Sequence, residues 1–114
     1  MRVTSDFWVS AYVRRRFGAG GFAAVVRRGA REAGAIFVKI NRLDGTADLY
    51  GPAPQAEIGE AGGDRMFEPL LTGVPEAEIA ARLAREQRFD PDIWVVEAED
   101  REGRAELDLP SRPG

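Results

Sequence analysis

The chain of 114 residues contains no cysteine and no histidine. The first absence excludes disulfides, thiolate nucleophiles and thiolate zinc sites. The second excludes an imidazole base working near neutral pH and imidazole metal ligands. Most familiar hydrolase mechanisms fall with these two residue types. Lysine is nearly missing as well: Lys39 stands alone against fifteen arginines, a bias that together with abundant alanine and glycine marks GC-rich coding rather than function. No stretch approaches the roughly 18 to 20 consecutive apolar residues of a membrane helix. The opening Met1-Arg2-Val3-Thr4-Ser5-Asp6 lacks the apolar core and small-residue cleavage site of a signal peptide, so cytoplasmic residence and no membrane partner are expected.

What is present describes an ordinary globular protein, with 44% hydrophobic and 31% charged residues. The length suits one domain, 1–114, with its own core. Charge is unevenly spread: residues 1–57 carry nine basic and five acidic side chains, residues 58–114 seven and fourteen, so a +4 half is followed by a −7 half. The halves are expected to pair within the domain or across a homodimer, although a basic face also suits an anionic ligand.

Residues 5–18 place Trp8, Ala11, Tyr12 and Arg15 at helical spacing, with Thr4, Ser5 or Asp6 as N-cap and Gly18, Gly20 and Gly21 beyond. Residues 22–28 read as a strand. In the next strand, 34–41, Ile36, Val38 and Ile40 share one face, and Ala35, Phe37, Lys39 and Asn41 the other. The short connection at Gly29-Ala30-Arg31-Glu32 predicts an antiparallel hairpin between these two strands. Asp44-Gly45 turns into a third strand, 46–50, completing an antiparallel meander. The Gly- and Pro-rich stretch 51–64 reads as a mobile loop, followed by a fourth strand at 65–71. A second helix opens with Pro75 in its first position and buries Ile79, Leu83 and flanking alanines, until Pro91 stops it. The strand 92–100 follows, then a turn at Glu102-Gly103, a short strand at 104–109 and a frayed tail at 110–114.

Nucleotide motifs fail on inspection. Gly18-Ala19-Gly20-Gly21-Phe22-Ala23 matches a dinucleotide pattern but runs from helix to strand, the reverse of the order that brings pyrophosphate to a helix N-terminus. Gly29 and Gly34 have P-loop spacing, but Ala35 and Ile36 occupy the positions of the phosphate-binding lysine and the magnesium-binding hydroxyl. The acidic run Glu97 to Gly103 cannot be a calcium loop, because aligning Gly103 with the loop glycine puts Ala98 first and Leu109 last. A magnesium site on one or two of these carboxylates has no fixed spacing to test, and a solvated hairpin end is the favoured reading. The element order suggests a nuclease core with a Glu-x-Lys pair, but Phe37 stands two residues before Lys39, where the carboxylate belongs.

Lys39 lies in an apolar strand, where burial can ready an amine for Schiff-base or general-base chemistry; the commoner alternative is a lysine snorkelling to water. Arg14-Arg15-Arg16 and Arg27-Arg28 are the densest basic clusters. A solvated face or pairing with the acidic half is favoured over nucleic acid, since no aromatic residues are interleaved in an RNA-binding pattern. Trp8 and Trp94 read as core anchors.

The strings Trp8-Val9-Ser10-Ala11, Gly21-Phe22-Ala23-Ala24-Val25-Val26-Arg27-Arg28-Gly29, Glu32 to Asn41 and Arg88-Phe89-Asp90-Pro91-Asp92-Ile93-Trp94-Val95-Val96-Glu97 together resemble the domain of unknown function 1491 family of small alphaproteobacterial proteins. The resemblance spans nearly the whole chain and is poorest at 51–64. It implies a single cytoplasmic domain and carries no activity, cofactor or catalytic residue with it.

The expected architecture is α+β: an antiparallel sheet of four to six strands with two helices, in the order α-β-β-β-(β)-α-β-β. The expected function is a noncatalytic binding or interaction module, self-associating as a homodimer or bound to a protein partner, with no cofactor and no metal. The competing reading is a small-molecule or metal-assisted enzyme, in which Arg27, Arg28, Lys39, Asp90, Asp92, Glu97 and Glu99 converge in one pocket. A third is nucleic-acid binding through the arginine clusters.

Overall fold

In the computed structural model, which describes residues 3–54 and 65–110, the order is α1 (Ser5–Gly18), β1 (Phe22–Arg27), β2 (Ile36–Asn41), β3 (Thr46–Pro52), β4 (Phe67–Pro75), α2 (Glu76–Phe89) and β5 (Trp94–Glu99). Thr4 caps α1, its hydroxyl accepting from the Phe7 N–H at 3.2 Å. At the other end the Gly21 N–H returns to the Arg16 carbonyl, and Gly20, at φ 87°, makes the left-handed step beyond the helix. Pro75 sits at the N-cap of α2, one residue before the first helical position, Glu76, and not at that position as predicted.

The sheet order is β1-β5-β2-β3-β4. Strands β2, β3 and β4 form the expected meander, but the predicted β1–β2 hairpin does not exist. Strand β5 lies between them, antiparallel to β1 (Phe22 opposite Glu99) and parallel to β2 (Ile36 opposite Trp94). The cause is α2. After β4, the helix carries the chain back across the sheet, so β5 enters in the direction of β4 and β2, as any crossover connection requires. Its sequence suits the centre: Trp94, Val96 and Ala98 fill one face while Val95, with Ile93 just before it, fills the other.

The connection between β1 and β2 must therefore cross over the start of β5, and two glycines make that possible. A Cβ on Gly29 would collide with the Asp92 carbonyl and the Ile93 backbone, and one on Gly34 would lie 2.5 Å from the Asp92 oxygen. The P-loop-like spacing thus has a steric origin. The Ala30 N–H donates to the Asp92 carbonyl, and the indole N–H of Trp94 donates to the Ala30 carbonyl at 2.7 Å.

Helix α1 packs on one face of the sheet, where Val9 and Tyr12 meet Ile36, Val38, Ile40, Trp94 and Val96. Helix α2 packs on the other, where Ile79 meets Phe37, Leu49 and Val95, with Leu83 alongside. The flanking alanines of α2, expected in the core, are exposed. Strand β4 begins at Phe67 and extends to Pro75, later than predicted. Residues 104–109 are not a strand: Glu106 at φ 56° breaks the extended path, and the segment is held instead by the Tyr12 hydroxyl on the Ala105 carbonyl and the Phe67 N–H on the Asp108 carbonyl. Most of the predicted 51–64 loop lies outside the described residues, but 51 and 52 belong to β3 and Ala53 is buried. The tail beyond 110 lies outside them too.

Replacing Gly29 by alanine is expected to cost about 1 to 3 kcal/mol in thermal or urea denaturation. Gly18→Ala, where an added Cβ meets nothing within 4 Å, should change stability by less than about 0.5 kcal/mol.

Candidate functional site

Three segments distant in sequence meet beside the start of α1: Val3 and Thr4, the Glu32–Ile36 stretch leading into β2, and the paired ends of β3 and β4 at Pro52 and 65–67. They enclose a cleft of about 560 Å³, within the usual size range of small-molecule sites, roughly 300 to 1,000 Å³. Its floor is core: Ile36 and Phe67 are 2% and 1% exposed. Val3, Ala33, Ala35, Pro52 and Met66 add apolar wall, while Glu32 stands exposed at the rim and Arg65 donates through Nη2 to the Val3 carbonyl at 3.0 Å. The entry of α1 offers no free anion cradle here. Its Ser5 and Asp6 N–H groups donate to the Glu32 and Arg31 carbonyls, and the Ser5 hydroxyl to the Gly34 carbonyl.

The residues singled out from sequence lie elsewhere and do not converge. Lys39 is engaged by two carboxylates, Glu76 Oε1 at 2.8 Å and Glu97 Oε1 at 3.6 Å, and Asn41 donates to the other oxygen of Glu97. This cluster fastens the first turn of α2 to β2 and β5. A nucleophilic amine needs an apolar or cationic setting, which this is not. Arg27 donates to the Ile93 carbonyl at 2.7 Å, whereas Arg28 lies 5.0 Å from the Trp94 ring centroid and reaches Asp6. Asp90 accepts from the Asp92 N–H in the turn before β5, and the Asp92 carbonyl receives Ala30. Glu99 borders a separate hollow of about 230 Å³ beside Arg16 and Arg104. Among these residues only Lys39 and Glu97 form an ion pair; the Asp92 N–H on Asp90 and the Arg27 guanidinium on the Arg28 carbonyl are contacts between near neighbours in the chain.

The arginine clusters are divided in the same way. Arg14 and Arg15 are exposed, but Arg16 is 4% exposed and donates to the Arg104 carbonyl at 2.9 Å. Together with Tyr12 it fixes the segment after β5 to α1. Burial pushes the Tyr12 phenol up to about 12, against the opposing pull of the Arg16 charge. In the acidic run, Asp100 is a turn cap. Burial opposes its charge, but the Arg104 and Glu102 N–H groups and the Arg104 guanidinium outweigh that and hold its carboxyl below the usual range. Among the described residues no group of three or more acidic side chains could hold a metal ion, and no helix is long and apolar enough to cross a membrane.

Sequence reading passed over one buried charge. Asp48, 1% exposed, receives Arg42 through Nε and Nη2 and the Gly73 N–H at 2.7 Å. It joins the β2–β3 turn to the irregular part of β4, and the Gly103 turn packs against the pair. An aspartate in a strand of small and apolar residues was the available signal.

Residues 3–108 match the sequence profile of a family described as protein of unknown function, DUF1491. The chain belongs to the DUF1491 family. A protein of A. tumefaciens with a solution structure is 52% identical, the match covering 99% of this chain and 98% of that one at a TM-score of 0.83. Two structures of DUF1491 family proteins from Caulobacter crescentus CB15 are also similar. The crystal structure is 38% identical over 97% of this chain and 100% of that one, and the NMR structure 40% identical over 99% of each, both at a TM-score of 0.77. No curated protein matches the chain. The resemblance read from the strings around Trp8, Phe22, Lys39 and Trp94 is borne out, and the DUF1491 fold is the α+β arrangement described above.

Two measurements test the roles given to these polar groups. Asp48→Ala should lower stability by about 3 kcal/mol in urea, because it strands a buried N–H and removes a buried charge partner. The Tyr12 contribution should be intact below pH 10, where the unfolded phenol ionises, and be lost as pH rises towards 12, where the folded one does. Tyr12→Phe should flatten that part of the alkaline unfolding curve.

Proposed function

We propose that this DUF1491 protein is a noncatalytic binding module whose ligand occupies the cleft between Thr4, Glu32 and Phe67. One observation carries the reading: a concavity of about 560 Å³ has an apolar floor of core side chains, with Glu32 exposed at its rim and Arg65 half-buried in its wall. Sites that hold rather than transform a small molecule have this composition, with apolar area supplying affinity and a few polar groups setting orientation. The noncatalytic part rests on the scatter of the candidate residues. Lys39, Arg16 and Asp48 are consumed by contacts within the fold, and among the described residues no nucleophile lies beside a base at the cleft. The ligand class is a compact molecule with an apolar body and one end able to donate hydrogen bonds to Glu32.

An NMR titration with tryptamine, an aromatic body carrying an ammonium group, tests this. The amide signals of Ala33, Ala35, Ile36 and Phe67 should shift. Ala33→Trp, at an exposed wall position, should abolish the shifts, and Glu32→Gln should weaken binding by about tenfold. Absence of shifts at these residues, or shifts that persist unchanged in Ala33→Trp, would remove the cleft from consideration.

A further inference from the structure

The two edges of the sheet are built differently. The β4 edge is blunted: Pro69 and Pro75 have no N–H to offer, the pairing with β3 shifts register twice, Gly73 sits at φ 63°, and the Phe67 N–H is committed to Asp108. The β1 edge has fewer such devices. It has no proline and no charge before Arg27, and its single irregularity falls at the far end, between Val25 and Arg27. It also turns apolar side chains to solvent, with Phe22, Val25 and Val26 at 44%, 38% and 61% exposed. Phe17, from the last turn of α1, extends the patch by packing edge-on against Phe22 at 5.6 Å.

We propose that β1 is the seam of a symmetric dimer, in which a second copy of this chain adds its own β1 antiparallel to the first and makes one continuous sheet. Residues opposite each other in an antiparallel pair lie on the same face, so the two-fold axis must pass through a residue rather than between two. Centring it on Ala24 sets Ala23 opposite the partner's Val25 within the regular part of the strand, and brings Phe22 beside the partner's Val26, which lies at the bulge. The largest exposed apolar groups then cover one another, and a small side chain sits on the axis where the backbones meet. No charge faces its own kind. The same symmetry lays the Arg27-Arg28 end of each strand beside the end where Phe22 neighbours Glu99, whose carboxylate has no ion-pair partner among the described residues. An unrelated strand would match the backbone of this edge. A copy of β1 matches the backbone, the apolar pairs and the opposed charges together.

Sedimentation velocity on the intact chain, up to about 1 mM, should show a monomer–dimer equilibrium. Val26→Lys, at an exposed position, should weaken it by about tenfold or more while the amide spectrum stays folded. In a sample mixing labelled and unlabelled chains, intermolecular NOEs should join the Phe22 ring to the Val26 methyl groups, a reading that needs no variant. A protein monomeric throughout that range would overturn the proposal. So would a dimer indifferent to Val26→Lys, or one whose intermolecular NOEs lie away from β1.

Discussion

Everything in this fold depends on how the β1–β2 connection crosses the entry of β5. The crossing is tight enough that backbone meets backbone, at Gly29 and Gly34 against Asp92 and Ile93, and it is sealed by the Ala30 N–H, the Trp94 indole and the Trp94 N–H on the Ala35 carbonyl. Because close-packed backbone has no slack, that crossing fixes β5 in the centre of the sheet. It also fixes α1, since the same connection supplies the Glu32 and Arg31 carbonyls that satisfy the first turn of the helix. The cleft beside Thr4 and Ile36 is a by-product of this geometry, formed where the crossing, the helix entry and the ends of β3 and β4 meet.

The charged side chains inside the molecule act as fasteners. Lys39 ties α2 to the sheet, Arg16 ties the segment after β5 to α1, and Asp48 ties the β2–β3 turn to β4. Residues 104–109 form no ladder, and α2 buries fully only Ile79. Where hydrophobic burial is thin, a desolvated polar contact can set position even when its net contribution to stability is small. This explains why the residues that look most chemical in the sequence do not gather in a site.

Both helices and the five strands were legible because local patterning governs them, whereas the strand expected at 104–109 does not form. Alternation in β2 predicts its two faces correctly, and Thr4 with Gly20 brackets α1 as their backbone preferences require. The pairing of β1 was not legible. A short connection after one strand predicts a hairpin, and only the later crossover through α2 delivers a third strand to that gap. Arg16 looked like its neighbours Arg14 and Arg15 because burial depends on where the end of the chain returns, some 90 residues on. The cleft had no motif, since its walls come from residues 3–4, 32–36, 52 and 65–67.

By itself, then, the sequence determined the fold class, the family, the element boundaries to within a few residues, and the chemistry ruled out by having neither cysteine nor histidine. These follow from composition and from interactions within a few residues of chain. Tertiary structure alone decided which strands pair, which charges are buried and where a ligand-sized space opens. Those depend on contacts between segments tens of residues apart, whose outcome is set by steric fit at places such as Gly29 over Asp92 and leaves no periodic trace in the chain.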